Sequence, residues 1–211
     1  MSTDKKNILI CIDTEFESSN VITGNCLQLA FTAFYEDYDV SDSNKDEIID
    51  KKWIVDSKSF CFKDQGKEKE KRTMEFWSKF PEIREKIRSE ERDVKECMVE
   101  LQEWLVTLSE DYNISGFMAD HSCIDFPWFR NLYMEHLDED KPKIFLTWRC
   151  HCICNITDGI LMANPKANKN DLNKFCEDLE MFPHTHYALD DVYGTAYYYL
   201  RLKLYVKNLS L

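Results

Sequence analysis

The segment Ile8-Leu-Ile-Cys-Ile12-Asp13-Thr-Glu15 constrains this chain more than any other. Five apolar residues in a row, without the polar alternation of a half-wet strand, describe a β-strand covered on both faces. Two carboxylates follow at once. Residues two apart on a strand point the same way, so Asp13 and Glu15 converge on one point at the strand's end. Uncompensated charge beside a buried strand is costly, and bound cations would remove that cost. The other Asp-x-Glu, Asp178-Leu-Glu180, has no apolar run before it.

The rest of the chain surrounds that strand with a recognisable order of elements. Cys26–Tyr35 reads as a second strand, entered through a turn at Gly24-Asn25, and Trp53–Phe62 as a third, half-exposed one. The Asp-, Ser- and Asn-rich residues 36–50 read as a loop. From Thr73 the period changes, with Phe76, Trp77, Phe80, Ile83 and Ile87 at helical spacing around a break at Pro81. Glu91–Leu108 carries Val94, Met98, Leu101, Leu105 and Leu108 on one stripe and is expected to be an amphipathic helix. A short strand at Ile114–Ala119, a helix from Pro127 to Leu137 and a strand over Ile144–Ile153 follow. A polar loop at 164–171 and a closing helix at Asp190–Leu209 complete the order. Strands first, then helices alternating with strands, predict one α/β domain over 1–211, a mixed central sheet with helices on both faces.

Composition narrows the setting. At 211 residues the chain can bury a workable core, and 44% hydrophobic content argues against disorder despite 31% charged residues. Residues 1–7 are polar, and Ile8–Ile12 is too short for a signal-peptide core or a membrane span, so a soluble, cytoplasmic protein without membrane association is expected. Nine cysteines are an odd number, and Cys11, Cys26, Cys123 and Cys176 lie among apolar residues, as free thiols in a reducing compartment do.

The net charge of −12 is unusual for a protein handling nucleic acid, whose phosphates are normally met by Lys and Arg. Cations held by an acidic site, and local clusters such as Lys67, Lys69, Lys71 and Arg72 or Lys166, Lys169 and Lys174, could supply the positive charge; both clusters read equally well as solvated surface. The balance argues against a long duplex footprint and fits a short single-stranded end.

Two further segments carry acids in suggestive places. Asp125 lies where a short strand meets the next helix, a position that an N-cap alone would explain. Among five histidines, only His186 has an Asp five residues later, Asp191, in the first turn of the closing helix. The helix dipole favours an acid there in any case, but the spacing also lets a loop imidazole reach over a cation bound by the helical carboxylate. Cys150-His-Cys-Ile-Cys154 places three thiols on one face of a strand. Structural zinc sites use more widely separated pairs, so a thiol-lined core strand is the expectation.

Strand-Asp-x-Glu, a central Asp opening a helix and His-x₄-Asp near the C-terminus, in that order over nearly the whole chain, resemble the DEDDh exonucleases, the DnaQ-like branch of the ribonuclease H-like fold. Ile124-Asp-Phe-Pro and Thr73-Met-Glu-Phe-Trp-Ser-Lys-Phe-Pro-Glu-Ile-Arg84 are most similar to the type of the phage T4 exonuclease DexA and mycobacterial ribonuclease AS. Phe16-Glu17-Ser18-Ser19 replaces the glycine common after the first motif, and Asp120-His121 stands where many relatives have His-Asn. Tyr187, four before Asp191, has the spacing of a sister tyrosine class. The resemblance implies a 3′→5′ exonuclease releasing nucleoside 5′-monophosphates from single-stranded nucleic acid, RNA favoured over DNA. Asp13, Glu15, Asp125 and Asp191 would hold two Mg²⁺ or Mn²⁺ ions, one acidifying the attacking water and the other stabilising the leaving 3′-oxygen, with His186 as general base. A homodimer is plausible on the same ground. Phe16, Trp128 and Tyr187 are candidates for stacking on bases, with core packing the competing role, and Arg149 is a candidate substrate contact. His184, two before His186, reads as an auxiliary group or, more simply, loop surface.

Overall fold

The computed structural model describes residues 5–41, 44–137, 149–164, 168–175 and 181–209. Its elements in chain order are β1 (Asn7–Phe16), β2 (Cys26–Tyr35), α1 (Lys45–Ile49), β3 (Ile54–Phe62), α2 (Lys71–Trp77), α3 (Pro81–Ser89), β4 (Glu91–Arg92) and α4 (Val94–Asp111). They continue with β5 (Asn113–Ala119), α5 (Asp125–His136), β6 (Cys150–Cys152), α6 (Ile153–Ala163), α7 (Lys169–Phe175) and α8 (Ala188–Leu209).

The strands form a six-stranded sheet in the order β4-β3-β2-β1-β5-β6. β1 pairs antiparallel with β2 and parallel with β5, so the sheet is mixed and its centre is the strand that the sequence marks as doubly covered. Every residue from Ile8 to Ile12 is at most 1% exposed. The period of two divides them between the two layers. Ile8, Ile10 and Ile12 pack with Leu101 and Leu105 of α4 and Phe129 and Leu132 of α5. Leu9 and Cys11 pack on the opposite face with Val192 and Ala196 of α8. Burying each of these aliphatic side chains contributes about 1.5–3 kcal/mol, which fixes register as well as fold, because a slip of one residue would exchange the two sets. No described helix is long and apolar enough to cross a membrane.

Several local expectations are corrected. Within 36–50 a short helix, α1, forms, because Ile48 is buried and its carbonyl accepts Trp53 Nε1 at 3.1 Å. The long amphipathic helix begins at Val94, where Asp93 Oδ1 accepts from Lys95 N at 2.9 Å and Glu96 N at 3.2 Å, and Glu91–Arg92 pairs instead with β3. α5 starts at Asp125, two residues ahead of Pro127. The strand expected over Ile144–Ile153 is Cys150–Cys152 among the described residues, residues 144–148 lying outside them; Ile153 opens α6, so Cys154 leaves the strand face shared by Cys150 and Cys152. α7 begins at Lys169, inside the expected 164–171 loop, of which 165–167 lie outside the described residues. The eight described cysteines are free, but Cys123 is exposed instead of apolar-packed, and Cys176 lies outside the described residues.

Candidate active site

β1 delivers Asp13 and Glu15 to the face of the sheet covered by α8, continuing the alternation of Leu9 and Cys11. There they meet Asp191, and an oxygen of each of the three lies within 4.8 Å of the other two. Thr14 points the other way, toward α5, and its hydroxyl donates to Asp125 Oδ1 at 2.8 Å. Asp125 is 6% exposed and its carboxylate accepts from Thr14, a residue 111 positions away, while the N-cap position is Ile124. The four acids therefore assemble from both layers around the end of one strand.

Asp191 is held by backbone. Its Oδ1 accepts from Thr185 N at 2.7 Å and its Oδ2 from His186 N at 3.0 Å. His186 takes a left-handed backbone conformation (φ 62°) that brings its N–H onto the carboxylate. Gln28, buried in β2 opposite Glu15, fixes the start of α8 through its Oε1, which accepts from Ala188 N at 2.9 Å. The His186 ring packs against Phe76 and Phe80, with centroids 4.9 and 4.6 Å away, and against His184 at 4.3 Å. His184 is not idle surface: its Nδ1 lies 2.9 Å from Asp191 Oδ2.

Electrostatics follow from burial and crowding. Burial pushes the Asp13 carboxyl well up, and the charges of Glu15, Asp125 and Asp191 push it further. Glu15 is raised by burial and then by Asp191 and Asp125. Asp125 is pushed up to about 6, mostly by burial, with the Thr14 hydrogen bond opposing. The two histidines diverge. Asp191 raises His184, whereas burial and the neighbouring His184 lower His186. Divergent pairs of this kind mark groups suited to different protonation states at one pH.

The donor set passes a direct test as a cation site. Asp13 Oδ2 is buried with no hydrogen-bond partner, and among the described residues no Lys or Arg pairs with Asp13, Glu15 or Asp125. An all-oxygen set short of positive charge suits a hard divalent cation such as Mg²⁺ or Mn²⁺.

Asp13, Glu15 and Asp125 open into a cleft of about 530 Å³ whose walls include Phe16, Phe76, Ile124, His121 and the exposed Arg72. Phe16 lies where the sequence suggested. Trp128 and Tyr187 do not line the cleft; of the two roles weighed for them, stacking on bases is corrected and core packing is the one found. Trp128 is fully buried and stacked on Phe16 at 5.7 Å. Tyr187 is 4% exposed, packs with Leu27, Trp77 and Ile87, and donates its hydroxyl to Glu90 at 2.6 Å. Arg149 precedes β6 and is not part of the cleft wall; its carbonyl accepts from Phe117 N at 2.9 Å. Of the first basic cluster, Lys67 pairs with Glu135, Lys69 with Glu17 and Asp64, and Lys71 with Glu75, so Arg72 is its member at the cleft. Lys169 and Lys174 are exposed on α7, and Lys166 lies outside the described residues.

Glu17 braces the cleft from below. It is 1% exposed and takes Arg84 Nη2, Lys69 Nζ at 3.1 Å and Asn25 Nδ2 at 2.8 Å. Trp77 Nε1 donates to the Phe16 carbonyl at 2.9 Å, and Glu70 Oε2 accepts from Ser19 N and Oγ at 3.1 and 2.8 Å. The segment that departs from the usual glycine is thus tied to α2 and α3 by side chains. Thr14, Gln28 and Glu17 are the participants the sequence reading did not single out, and of the two readings of His184 the auxiliary one fits its place beside Asp191; a Gln amid the apolar Cys26–Tyr35 was the one visible signal.

Neither a family model nor a curated protein matches this chain by sequence. Solved structures do match. Pop2p of S. pombe, in its Mg²⁺- and Mn²⁺-bound form, superposes with a TM-score of 0.58 at 16% identity, covering 92% of this chain and 82% of that one. The nuclease domain of 3′hExo, a DEDDh family member bound to rAMP, gives 0.57 at 14% identity over 94% and 92%. This chain has their fold. E. coli exonuclease I in complex with an oligonucleotide gives 0.61 at 11% identity, over 94% of this chain but 41% of the larger enzyme. The mixed six-stranded sheet with helices on both faces is accordingly the ribonuclease H-like fold expected from the sequence.

Proposed function

We propose that this protein is a metal-dependent 3′→5′ exonuclease that trims single-stranded 3′ ends, RNA in preference to DNA, to nucleoside 5′-monophosphates. The observation that carries the reading is the convergence of Asp13, Glu15 and Asp191 within 4.8 Å, with His186 at the rim, on a fold shared with nucleases. Two Mg²⁺ or Mn²⁺ ions, held by these three acids and Asp125, would supply the positive charge that a scissile phosphate and its leaving 3′-oxygen require. Neutral His186 takes the proton of the attacking water. The water oxygen bonds to phosphorus, the bond from phosphorus to the 3′-oxygen breaks, and the shortened strand keeps a 3′-hydroxyl. His184, drawn toward its charged form by Asp191, stays out of that role. Phe16 and Phe76 offer apolar faces to a base or sugar, and Arg72 a cation to a backbone phosphate.

Matched RNA and DNA oligonucleotides, 5′-labelled and incubated with Mg²⁺ or Mn²⁺, test the reading. Stepwise shortening from the 3′ end is expected, faster on RNA, and absent in Asp13→Ala. Retention of oligonucleotide without shortening would replace the enzyme by a binding module. His186→Ala is expected to slow turnover by roughly 10²–10⁴-fold while keeping the metal-induced rise in melting temperature. Because His186 is lowered in the folded protein, the wild-type rate is expected to fall only below the ordinary imidazole range of about 6.5. Initial rates across pH check this; an acid limb above that range would remove His186 as the base.

A further inference from the structure

The wall of the cleft opposite α2 carries a second donor set that the carboxylate chemistry does not use. Asp120 and His121 stand in the turn between β5 and α5, and Cys154 in the first turn of α6. Cys154 Sγ lies 3.5 Å from Asp120 Oδ1 and 3.5 Å from His121 Nε2, and a donor atom of each residue lies within 4.8 Å of the other two.

The backbone holds this arrangement. The Asp120 carbonyl accepts from Cys154 N at 3.4 Å and from the Cys152 thiol at 3.3 Å, tying the turn to the β6–α6 junction. The His121 carbonyl accepts from Ile124 N and Asp125 N at 2.8 and 3.2 Å. His121 Nδ1 sits 3.0 Å from Asp120 Oδ2, which orients the ring so that Nε2 faces the thiol.

A thiol, an imidazole nitrogen and a carboxylate oxygen thus converge on one point. The separations match a tetrahedral ion. Bonds of about 2.3 Å to sulfur and about 2.0 Å to imidazole nitrogen, at the tetrahedral angle, place S and N about 3.5 Å apart. The Asp120 and His121 side chains are 49% and 55% exposed, so an ion can enter from solvent.

We infer that Asp120, His121 and Cys154 form a Zn²⁺ site separate from the carboxylate cluster, with a fourth position left to solvent. Thiolate and imidazole donors select a borderline-soft ion, whereas the four acids around β1 select a hard one. As sulfur bonds to the ion, the thiol proton passes to solvent. The sequence obscures this set because Cys150, Cys152 and Cys154 read as a strand trio, whereas the partners of Cys154 lie 33 and 34 residues upstream.

The full chain, dialysed against Zn²⁺ with excess Mg²⁺, is expected to retain one zinc, and with Co²⁺ in its place to show a thiolate-to-metal charge-transfer band. Cys154→Ser and His121→Ala are expected to lose the band and to weaken binding roughly 100-fold or more, since even outer-shell partners contribute 10–100-fold. Cys152→Ser and Asp13→Asn are expected to keep it. Circular dichroism of each variant separates lost ligation from lost folding. Absence of the band in the wild type, its persistence in Cys154→Ser, or its loss in a folded Cys152→Ser overturns the assignment. None of these readouts depends on nuclease activity.

Discussion

Asp13→Asn is expected to lower turnover by roughly 10³-fold or more while making the metal-free protein more stable than the wild type. Both halves follow from one placement. Asp13 is half-buried beside Glu15, Asp125 and Asp191 with a buried, unpartnered Oδ2, so its negative charge is useful only against a cation. An amide of the same shape removes the repulsion and the desolvation cost in the metal-free state. On the proposed function it also removes a metal ligand, whose contribution to stabilising charge in the transition state would be several kcal/mol, each 1.36 kcal/mol being tenfold in rate.

The pH dependence carries the same sign. An acid raised on folding holds its proton more tightly in the folded chain, so the metal-free protein loses stability as pH rises from the unfolded carboxylate range, about 4, through the raised folded value. For Asp125 that value is about 6. Thermal unfolding with chelator at about pH 5 and about pH 8 should show the wild type losing more than Asp13→Asn, and added Mn²⁺ should restore the wild type alone. A metal-free Asp13→Asn protein less stable than the wild type, or one still active, would sink this account.

Glu17→Ala is expected to cost about 3–5 kcal/mol of stability, the usual penalty for stripping one partner from a buried ion pair. Arg84, with its Nε already lacking a partner, would lose its carboxylate, and Lys69 and Asn25 would lose theirs. Burial pushes the Glu17 carboxyl up, but the hydrogen bonds from Arg84, Lys69 and Asn25 outweigh it and the net shift is downward. The stability it lends is therefore present above the unfolded carboxylate range and lost as pH falls through the lowered folded value. Urea denaturation checks both points. A change within about 0.5 kcal/mol, the size of an ordinary surface substitution, would mean that the segment after Phe16 is held by its backbone alone.

Much of this was legible because local rules were strong where they applied. Period two and an unbroken apolar run identify β1, and the same periodicity sends Asp13 and Glu15 to one side. Five-residue spacing brings His186 beside Asp191, whose Oδ2 accepts the His186 backbone N–H at 3.0 Å. What was illegible depends on partners distant in sequence. Thr14 looks like a spacer between two acids until Asp125 arrives from 111 residues away. Gln28 fixes α8 from 160 residues away. For Trp128 and Tyr187 the sequence leaves stacking and packing both open, because aromatic character says nothing of which side of a helix or turn will be inside. The start of α6 was missed because short apolar runs suit strands and buried helices alike.

One consequence of the alternation along β1 reaches beyond any single residue. Since the acids arrive from opposite sides of the sheet, each layer contributes part of the cluster and neither holds it whole. A fragment retaining β1 with α8, or β1 with α5, would carry the motif residues without the geometry. Transplanting the constellation to a smaller scaffold would likewise require a three-tier sandwich, because its smallest complete unit spans the thickness of the domain.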